Sequence, residues 1–327
     1  MSMRINNVVL IVVDALRIDR VGAYSGDTLT PHIDAIANEG EVFESCFSCI
    51  NTTDPSVTTI LSGKYPTRHG VLNHGEKVTK EEKHFASGTK SLPQLLPAEY
   101  STAGIDTLER WHEQGFDEYV NPRRTQQNTT TSRLQSVVNR MPNFLKYPVQ
   151  NTYRRITGTK KSPTSSDVVS QETINQISDM NDPFFLFSHY WDAHIPYIPM
   201  EEHPDKVANR SYDVDGSVQG IVEQISESPW ARRLQNLSGD ATSVADIVQK
   251  YDAGVRKVDR GIGDVVDSLK KNGIYDETAI IITADHGESL TEHGVYFDHH
   301  GLYDQSVHVP LIIKAPGFDG REKEFVQ

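Results

Sequence analysis

Residues 244–286 read VADIVQKYDAGVRKVDRGIGDVVDSLKKNGIYDETAIIITADH, and this stretch decides the fold class. Ile247, Tyr251, Val255, Val258, Ile262, Val265 and Leu269 recur at intervals of three and four, which predicts one apolar stripe on a helix between Val244 and Lys271. Asn272-Gly273 closes that helix. Thr278 to Thr283 follows as a β-branched run too short for a helix and apolar enough to be covered on both faces. It ends in Ala284-Asp285-His286, so a buried strand delivers an acid and an imidazole at its carboxyl end.

The same arrangement appears elsewhere in the chain. Val8 to Val13 is another continuous apolar run, and it finishes in Asp14. Pro183 to His189 and Val307 to Ile313 supply two further strands. Thr30-Pro31 opens a helix that runs to about Asn38 and stops at Gly40, and Ser91-Leu92-Pro93 starts another. Strands alternating with helices predict an α/β fold, a mostly parallel central sheet with helices on both faces. Ligands of such sheets collect at the carboxyl ends of the strands. A charge at the end of a buried strand is costly without a partner, and a metal ion is the usual one.

Composition narrows the function. With 327 residues, 37% apolar and 24% charged, the chain is ordinary for a globular protein and can bury a large core. A net charge of −13 argues against general nucleic-acid binding. No window of 18 apolar residues is present, so no membrane span is expected. The apolar run near the N-terminus is short and ends in Asp14, and it reads as a strand rather than a signal peptide. A cytoplasmic location is expected. Cys46 and Cys49 form a single C-x-x-C pair, which cannot make a structural zinc site alone; both are read as small buried hydrophobes near a strand end.

One segment differs from the rest. Residues 121–166 hold nine basic side chains and no Asp or Glu, which leaves −22 for the remainder. The expectation is a solvated insertion, with a basic lid that draws an anionic substrate as the sharper alternative. The chain is read as a single domain, 1–327, carrying this insertion and a second variable one at about 201–240.

The stretch Thr53-Asp54-Pro55-Ser56-Val57, followed by Ile60-Leu61-Ser62-Gly63 and Tyr65-Pro66-Thr67-Arg68-His69-Gly70, resembles the signature of the sulfatase family of the alkaline-phosphatase superfamily. That signature is Cys-x-Pro-Ser-Arg, then Leu-x-(Thr/Ser)-Gly and Tyr-Pro-x-x-His-Gly, so Thr53 falls at the nucleophile position. Asp14-Ala15-Leu16-Arg17, Thr30-Pro31-His32-Ile33-Asp34, Gly115-Phe116-Asp117, Asp192-Ala193-His194-Ile195-Pro196-Tyr197, Ala284-Asp285-His286-Gly287-Glu288 and Val309-Pro310-Leu311 occur in the family's order. The resemblance implies an alkaline-phosphatase-like fold and a metal-dependent hydrolase acting on a small or medium anionic ester.

Carried over position by position, Asp14, Thr53, Asp285 and His286 are the implied metal set, and Thr53 is the implied nucleophile. One divalent ion is expected; the imidazole favours Zn²⁺ or Mn²⁺ over Ca²⁺. His194 matches the family's histidine at the leaving group, where a general acid would stand. His299 and His300 fall where many sulfatases place a substrate-binding lysine, with His300 the preferred candidate. Arg110 and His112 in Glu-Arg-Trp-His resemble the family's Gly-Lys-Trp-His, but their distance from the preceding strand does not match. Asp192 or His189 could help a second metal. Two-zinc relatives, however, separate their Asp and His by four residues, whereas Asp192 and His194 are two apart. A single metal is therefore expected.

Three departures bear on the chemistry. Thr53 cannot become the formylglycine of sulfatases, and Val57 replaces the motif's arginine. A threonine ester must be attacked by water, which is easier at phosphorus than at sulfur, so phosphate esters gain ground over sulfate. Ala15 stands where many members have a second acid. The sequence given stops at Gln327, shortly after Val309-Pro310-Leu311, where the resemblance implies further strands and a smaller C-terminal domain. A phosphoryl-alcohol transferase using the same threonine, and a degenerate anion-binding member, are the alternative functions.

Overall fold

The computed structural model describes residues 5–124, 164–197, 216–238, 241–318 and 322–323. Among these residues eight strands form one sheet: β1 Asn7–Val13, β2 Glu41–Phe43, β3 Ser101–Ile105, β4 Glu118–Val120, β5 Phe184–Tyr190, β6 Thr278–Ala284, β7 Leu311–Lys314 and β8 Glu322–Lys323. Their order is β4-β3-β5-β1-β6-β7-β2-β8. β1 lies parallel between β5 and β6, and β3 and β4 extend the parallel part beyond β5. Only β7 runs against its neighbours, β6 and β2. The longer helices are α1 Pro31–Asn38, α2 Thr53–Ser62, α3 Lys80–Ser87, α4 Ser166–Asp179, α5 Val218–Gln224, α6 Pro229–Ser238 and α7 Val244–Lys271.

The period-two alternation of β1 assigns its residues to two layers. Val9, Ile11 and Val13 pack with Ile33 and Ile36 of α1, Val169 and Ile177 of α4, and the α7 stripe. Leu10 and Val12 face the other way, onto Val57 and Leu61 of α2. Every residue of the predicted α7 stripe is buried. Ser243 caps this helix, accepting the Asp246 N–H while the Asp246 carboxylate returns to the Ser243 N–H. α7 lies so close to the end of β5 that a Cβ on Gly254 would sit 2.1 Å from the Asp192 carbonyl oxygen. No helix among the described residues is long and apolar enough to cross a membrane.

Several expectations are revised. The strand expected over Val307–Ile313 covers only Leu311–Lys314, because Asp304–Val307 forms a helical turn and Pro310 has no N–H for the ladder. Ser91-Leu92-Pro93 opens a four-residue 3₁₀ turn, Leu92–Leu95, rather than a full helix. Cys46 is half-buried, and Cys49 is exposed rather than buried. Of the basic insertion, 125–163 lie outside the described residues, and so does its role as a lid or a solvated loop. The second variable stretch is partly core: Val218 of α5 and Leu234 of α6 are buried in the main cluster.

Candidate active site

Sheet register builds the site. Val13 pairs with Ala284 of β6 and with Tyr190 of β5, so the next residues, Asp14, Asp285 and Trp191, emerge side by side. The Asp14 N–H continues the ladder to the Tyr190 carbonyl at 2.8 Å. Ala15 then turns with φ of 60°, a region that side chains other than glycine seldom enter. The turn is held from both sides. Tyr251 of α7 donates its hydroxyl to the Ala15 carbonyl and accepts the Arg17 N–H. Asp285 Oδ1 accepts the N–H groups of Ala15 and His286, at 3.2 and 2.8 Å. The Asp285 carbonyl accepts the hydroxyls of Ser48 and Ser56, each at 2.6 Å, which ties the α2 entry to the end of β6. Gly287 is required here, since a Cβ would lie 2.1 Å from the Gln305 carbonyl oxygen.

Thr53 is the first residue of α2 and is buried. Its Oγ1 lies 3.5 Å from Asp14 Oδ2 and 3.4 Å from His286 Nε2. His286 Nε2 is in turn 3.5 Å from Asp14 Oδ1 and 3.4 Å from Asp285 Oδ2. His286 Nδ1 donates to the Gly287 carbonyl at 2.8 Å, which leaves the Nε2 lone pair facing the acids. Asp14 Oδ1 and Asp285 Oδ2 are buried without a hydrogen-bond partner. Burial, and then Asp285, Glu288 and Asp106, push the Asp14 carboxyl well above the usual carboxylate range. Crowded acids with orphaned oxygens beside a lone-pair imidazole are the environment a divalent cation relieves. The ligand atoms of Asp14, Asp285 and His286 all lie within 4.8 Å of one another. The structure thus brings together the four residues expected to form the metal set.

Arg110 and His112 do reach this region. Strained backbone at Glu109 and Arg110, with φ of 54° and 62°, carries the Arg110 guanidinium onto Asp54, next to Thr53. His74 meets the other Asp54 oxygen at 2.9 Å. Burial alone would raise the Asp54 carboxyl, but His74 and Arg110 outweigh it and hold the group below the ordinary carboxylate range. His112 is buried 3.2 Å from the Thr58 hydroxyl, where Trp111 also donates at 2.9 Å. Val57, which replaces the motif's arginine, faces the apolar layer against Leu10 and Val12.

The remaining histidines divide. His194 donates Nδ1–H to the Ile195 carbonyl at 2.6 Å, and its Nε2 faces Asp14 Oδ1 at 3.9 Å. Burial, reinforced by His286, lowers its pKa to about 4, so the ring is neutral near pH 7. His299, rather than the preferred His300, joins the site: its ring lies 4.2 Å from that of His286 and 5.6 Å from that of His194. Burial and those two rings hold His299 neutral, so it does not supply the positive charge of a lysine. His300 is 68% exposed and turns to Asp298 at 2.8 Å and to the Trp230 ring. His189 Nδ1 pairs with Asp106 at 2.9 Å, and its Nε2, without a hydrogen-bond partner, lies 3.9 Å from Asp14 Oδ2. Asp192 is diverted to structure: it accepts from Ser166 and lies 3.4 Å from Lys257 Nζ.

Comparison with known proteins places this geometry in a family. The family model described as Sulfatase matches residues 6–323. The N-acetylglucosamine-6-O-sulfatase of Bacteroides thetaiotaomicron is 26% identical over 95% of the chain and 63% of its own length. Human iduronate 2-sulfatase is 27% identical over 95% of the chain and 60% of its length. The chain therefore spans about three fifths of these curated relatives. Among solved structures, the phosphonate monoester hydrolase of Agrobacterium radiobacter superposes with a TM-score of 0.62 at 20% identity, covering 98% of the chain and 70% of that protein. On the match of nearly its whole length, the chain belongs to the sulfatase family.

Proposed function

We propose that the chain hydrolyses an anionic sulfate or phosphate ester, with Thr53 Oγ1 as the nucleophile. The observation that carries this reading is the placement of the Thr53 hydroxyl within 3.5 Å of both Asp14 and His286, at the start of a helix and between two strand ends. Asp14, Thr53, Asp285 and His286 would hold one divalent cation. Their mixed oxygen and imidazole donors suit zinc or manganese better than calcium. Such an ion, when bound, lowers the pKa of the hydroxyl and offsets charge on the ester.

The chain's own groups do the rest. Asp285 is fixed by two backbone N–H groups on one oxygen, so the other is aimed inward. The N-terminal end of α2, ten residues long, adds a favourable dipole for an anion in front of Thr53. His194 faces Asp14 through Nε2, and it would serve the departing oxygen as an acid only after taking up a proton there, since burial and His286 lower its pKa to about 4. The threonine ester formed by attack has no aldehyde hydrate through which to collapse, so water must open it. That step favours phosphorus over sulfur, and the preferred substrate is a phosphate or phosphonate ester. The curated relatives bear sulfatase names, and one of the solved neighbours a phosphonate monoester hydrolase name.

The test is turnover of aryl sulfate, aryl phosphate and phosphodiester by the purified chain, with metal content measured by mass spectrometry, for wild type and Thr53→Ala. Phosphoester turnover that disappears in the variant is the expected result. Equal turnover by both proteins would rule out Thr53 as nucleophile.

A further inference from the structure

Arg123 follows β4, which ends at Val120, so it stands at the carboxyl ends of the parallel strands, as Asp14 does. In the order β4-β3-β5-β1 it starts three strands from Asp14. Neighbouring strands lie about 4.8 Å apart, so its side chain must run back across β3 to approach the site. It does so. The guanidinium carbon lies 5.7 Å from the centre of the Trp191 ring, and Trp191 is the first residue beyond β5. Trp191 meets the His194 ring edge-to-face at 6.2 Å, and His194 Nε2 faces Asp14.

The charge of Arg123 is not used by the protein around it. The two acids that act on it, Asp106 and Glu109, are engaged elsewhere. Asp106 accepts from Tyr119 at 2.7 Å and pairs with His189 at 2.9 Å, while Glu109 pairs with Arg124 at 2.8 Å. Residues 125–163, which follow directly, contain no Asp or Glu. The Arg123 side chain donates only Nε–H, to the Thr164 hydroxyl at 3.2 Å, and its two terminal nitrogens have no hydrogen-bond partner among the described residues. Burial disfavours the cation more than the two acids support it, so its pKa is lowered. A half-buried guanidinium with its fork open is costly to hold, and that fork is shaped to take an oxyanion through two parallel N–H groups.

We infer that Arg123 is a specificity-determining residue that binds a second anionic group, carried on the organic part of the substrate. The substrate class is then an ester with two anions: the one cleaved at Thr53, and a carboxylate, sulfate or phosphate on the side where His194 stands. The inference rests on the reading of Thr53 as nucleophile and extends it to the part of the substrate that departs. Charge, rather than stacking, is what this corner offers, because Trp191 is only 8% exposed and has little face left for a ring. The guanidinium lies between one and two strand spacings from Asp14, roughly 5–10 Å, which one aromatic or sugar ring spans.

The experiment compares para-carboxyphenyl phosphate with its neutral isostere, para-carbamoylphenyl phosphate, on the full chain supplied with Zn²⁺ or Mn²⁺, and the matching sulfates in parallel. The ratio of kcat/KM for the two esters is followed from one protein to the next, which cancels the difference between leaving groups. From wild type to Arg123→Met this ratio is expected to fall about tenfold, chiefly through KM of the carboxylated ester. Arg123→Lys keeps the charge without the fork and is expected to fall part of the way. The wild-type ratio should also shrink as salt rises. A ratio unchanged in Arg123→Met, whether both esters slow alike or neither does, would overturn the inference and leave Arg123 as a prop between Thr164 and Trp191. Failure of the hydrolase reading is read separately, by calorimetric binding of para-carboxyphenyl and para-carbamoylphenyl phosphonate to the same proteins. Tighter, Arg123-dependent binding of the carboxylated phosphonate without turnover of any ester would keep the anion position and overturn the nucleophile. Equal binding of the two, or none, in the absence of turnover would overturn both.

Discussion

Tyr251, in α7, donates its hydroxyl to the Ala15 carbonyl at 2.8 Å and so fixes the turn that aims Asp14. The same oxygen accepts the Arg17 N–H at 3.0 Å. A core side chain therefore serves the site through the backbone. Tyr251→Phe keeps the ring and strands two buried backbone groups, a cost of about 1–3 kcal/mol. The urea midpoint is expected to fall accordingly, and the affinity of the stripped protein for Zn²⁺ to weaken by about tenfold or more. Unchanged metal affinity with reduced stability would mean that the turn holds its shape without the hydroxyl.

What could be read from the sequence follows from how locally each feature is determined. Asp14, Asp285 and His286 were legible because each ends an apolar run, and the sheet then has no choice but to bring those ends together. Thr53 was legible through its motif. Ala15 at positive φ gave no signal, since its conformation is imposed by Tyr251 and Asp285, which are more than 200 positions away. The pairing of Arg110 with Asp54 was hidden by strained backbone at Glu109 and Arg110 that spacing does not reveal. The choice between His299 and His300 depended on which ring Asp298 and Trp230 capture, and they capture His300.

Asp54 predicts one sign of pH dependence. Its carboxyl is held below the ordinary range by His74 and Arg110 against the opposing effect of burial, so the contribution is present above about pH 4 and fades as pH falls below that. Arg110→Met leaves the acid buried beside the half-exposed His74, the buried His112 ring at 3.8 Å and the Gly75 N–H, and a loss of about 3 kcal/mol is expected at neutral pH. The difference between the two proteins should narrow on acidification, as read from urea midpoints along a pH series. A difference constant with pH would mean that Arg110 acts by packing on Trp111, over whose ring it lies at 4.6 Å, and not by charge.

Gly254 tests the seat of α7. The ideal Cβ position is 2.1 Å from the Asp192 backbone oxygen, a contact that no rotamer can relieve. Gly254→Ala must push the helix from β5 or shift the Asp192 turn, at a cost of about 1–3 kcal/mol despite alanine's higher helix propensity. Because His194 follows two residues after Asp192, the variant is also expected to change the histidine environment by NMR. A stabilised protein with an unaltered spectrum would show that the helix end has room to move.

Asp259 predicts the opposite sign for the same kind of side chain. Its Oδ1 accepts the N–H groups of His32 and Ile33 at the start of α1, at 3.0 and 2.9 Å, while Oδ2 is buried without a partner. Burial pushes the group up to about 6, although the two N–H groups, His32 and Arg256 pull the other way. The folded pKa lies above the unfolded one, so the fold favours the neutral acid, and stability is lost as pH rises from about 4 through 6. Asp259→Asn keeps an Oδ1 for both donors and removes the charge. The variant is expected to gain on wild type across that interval, by up to about 2–3 kcal/mol, and to hold the gain at higher pH. Paired urea titrations at successive pH values measure it. A gap that does not change with pH would show that the ionised carboxylate is stabilised as well as the neutral one, and that the two N–H groups suffice to hold it.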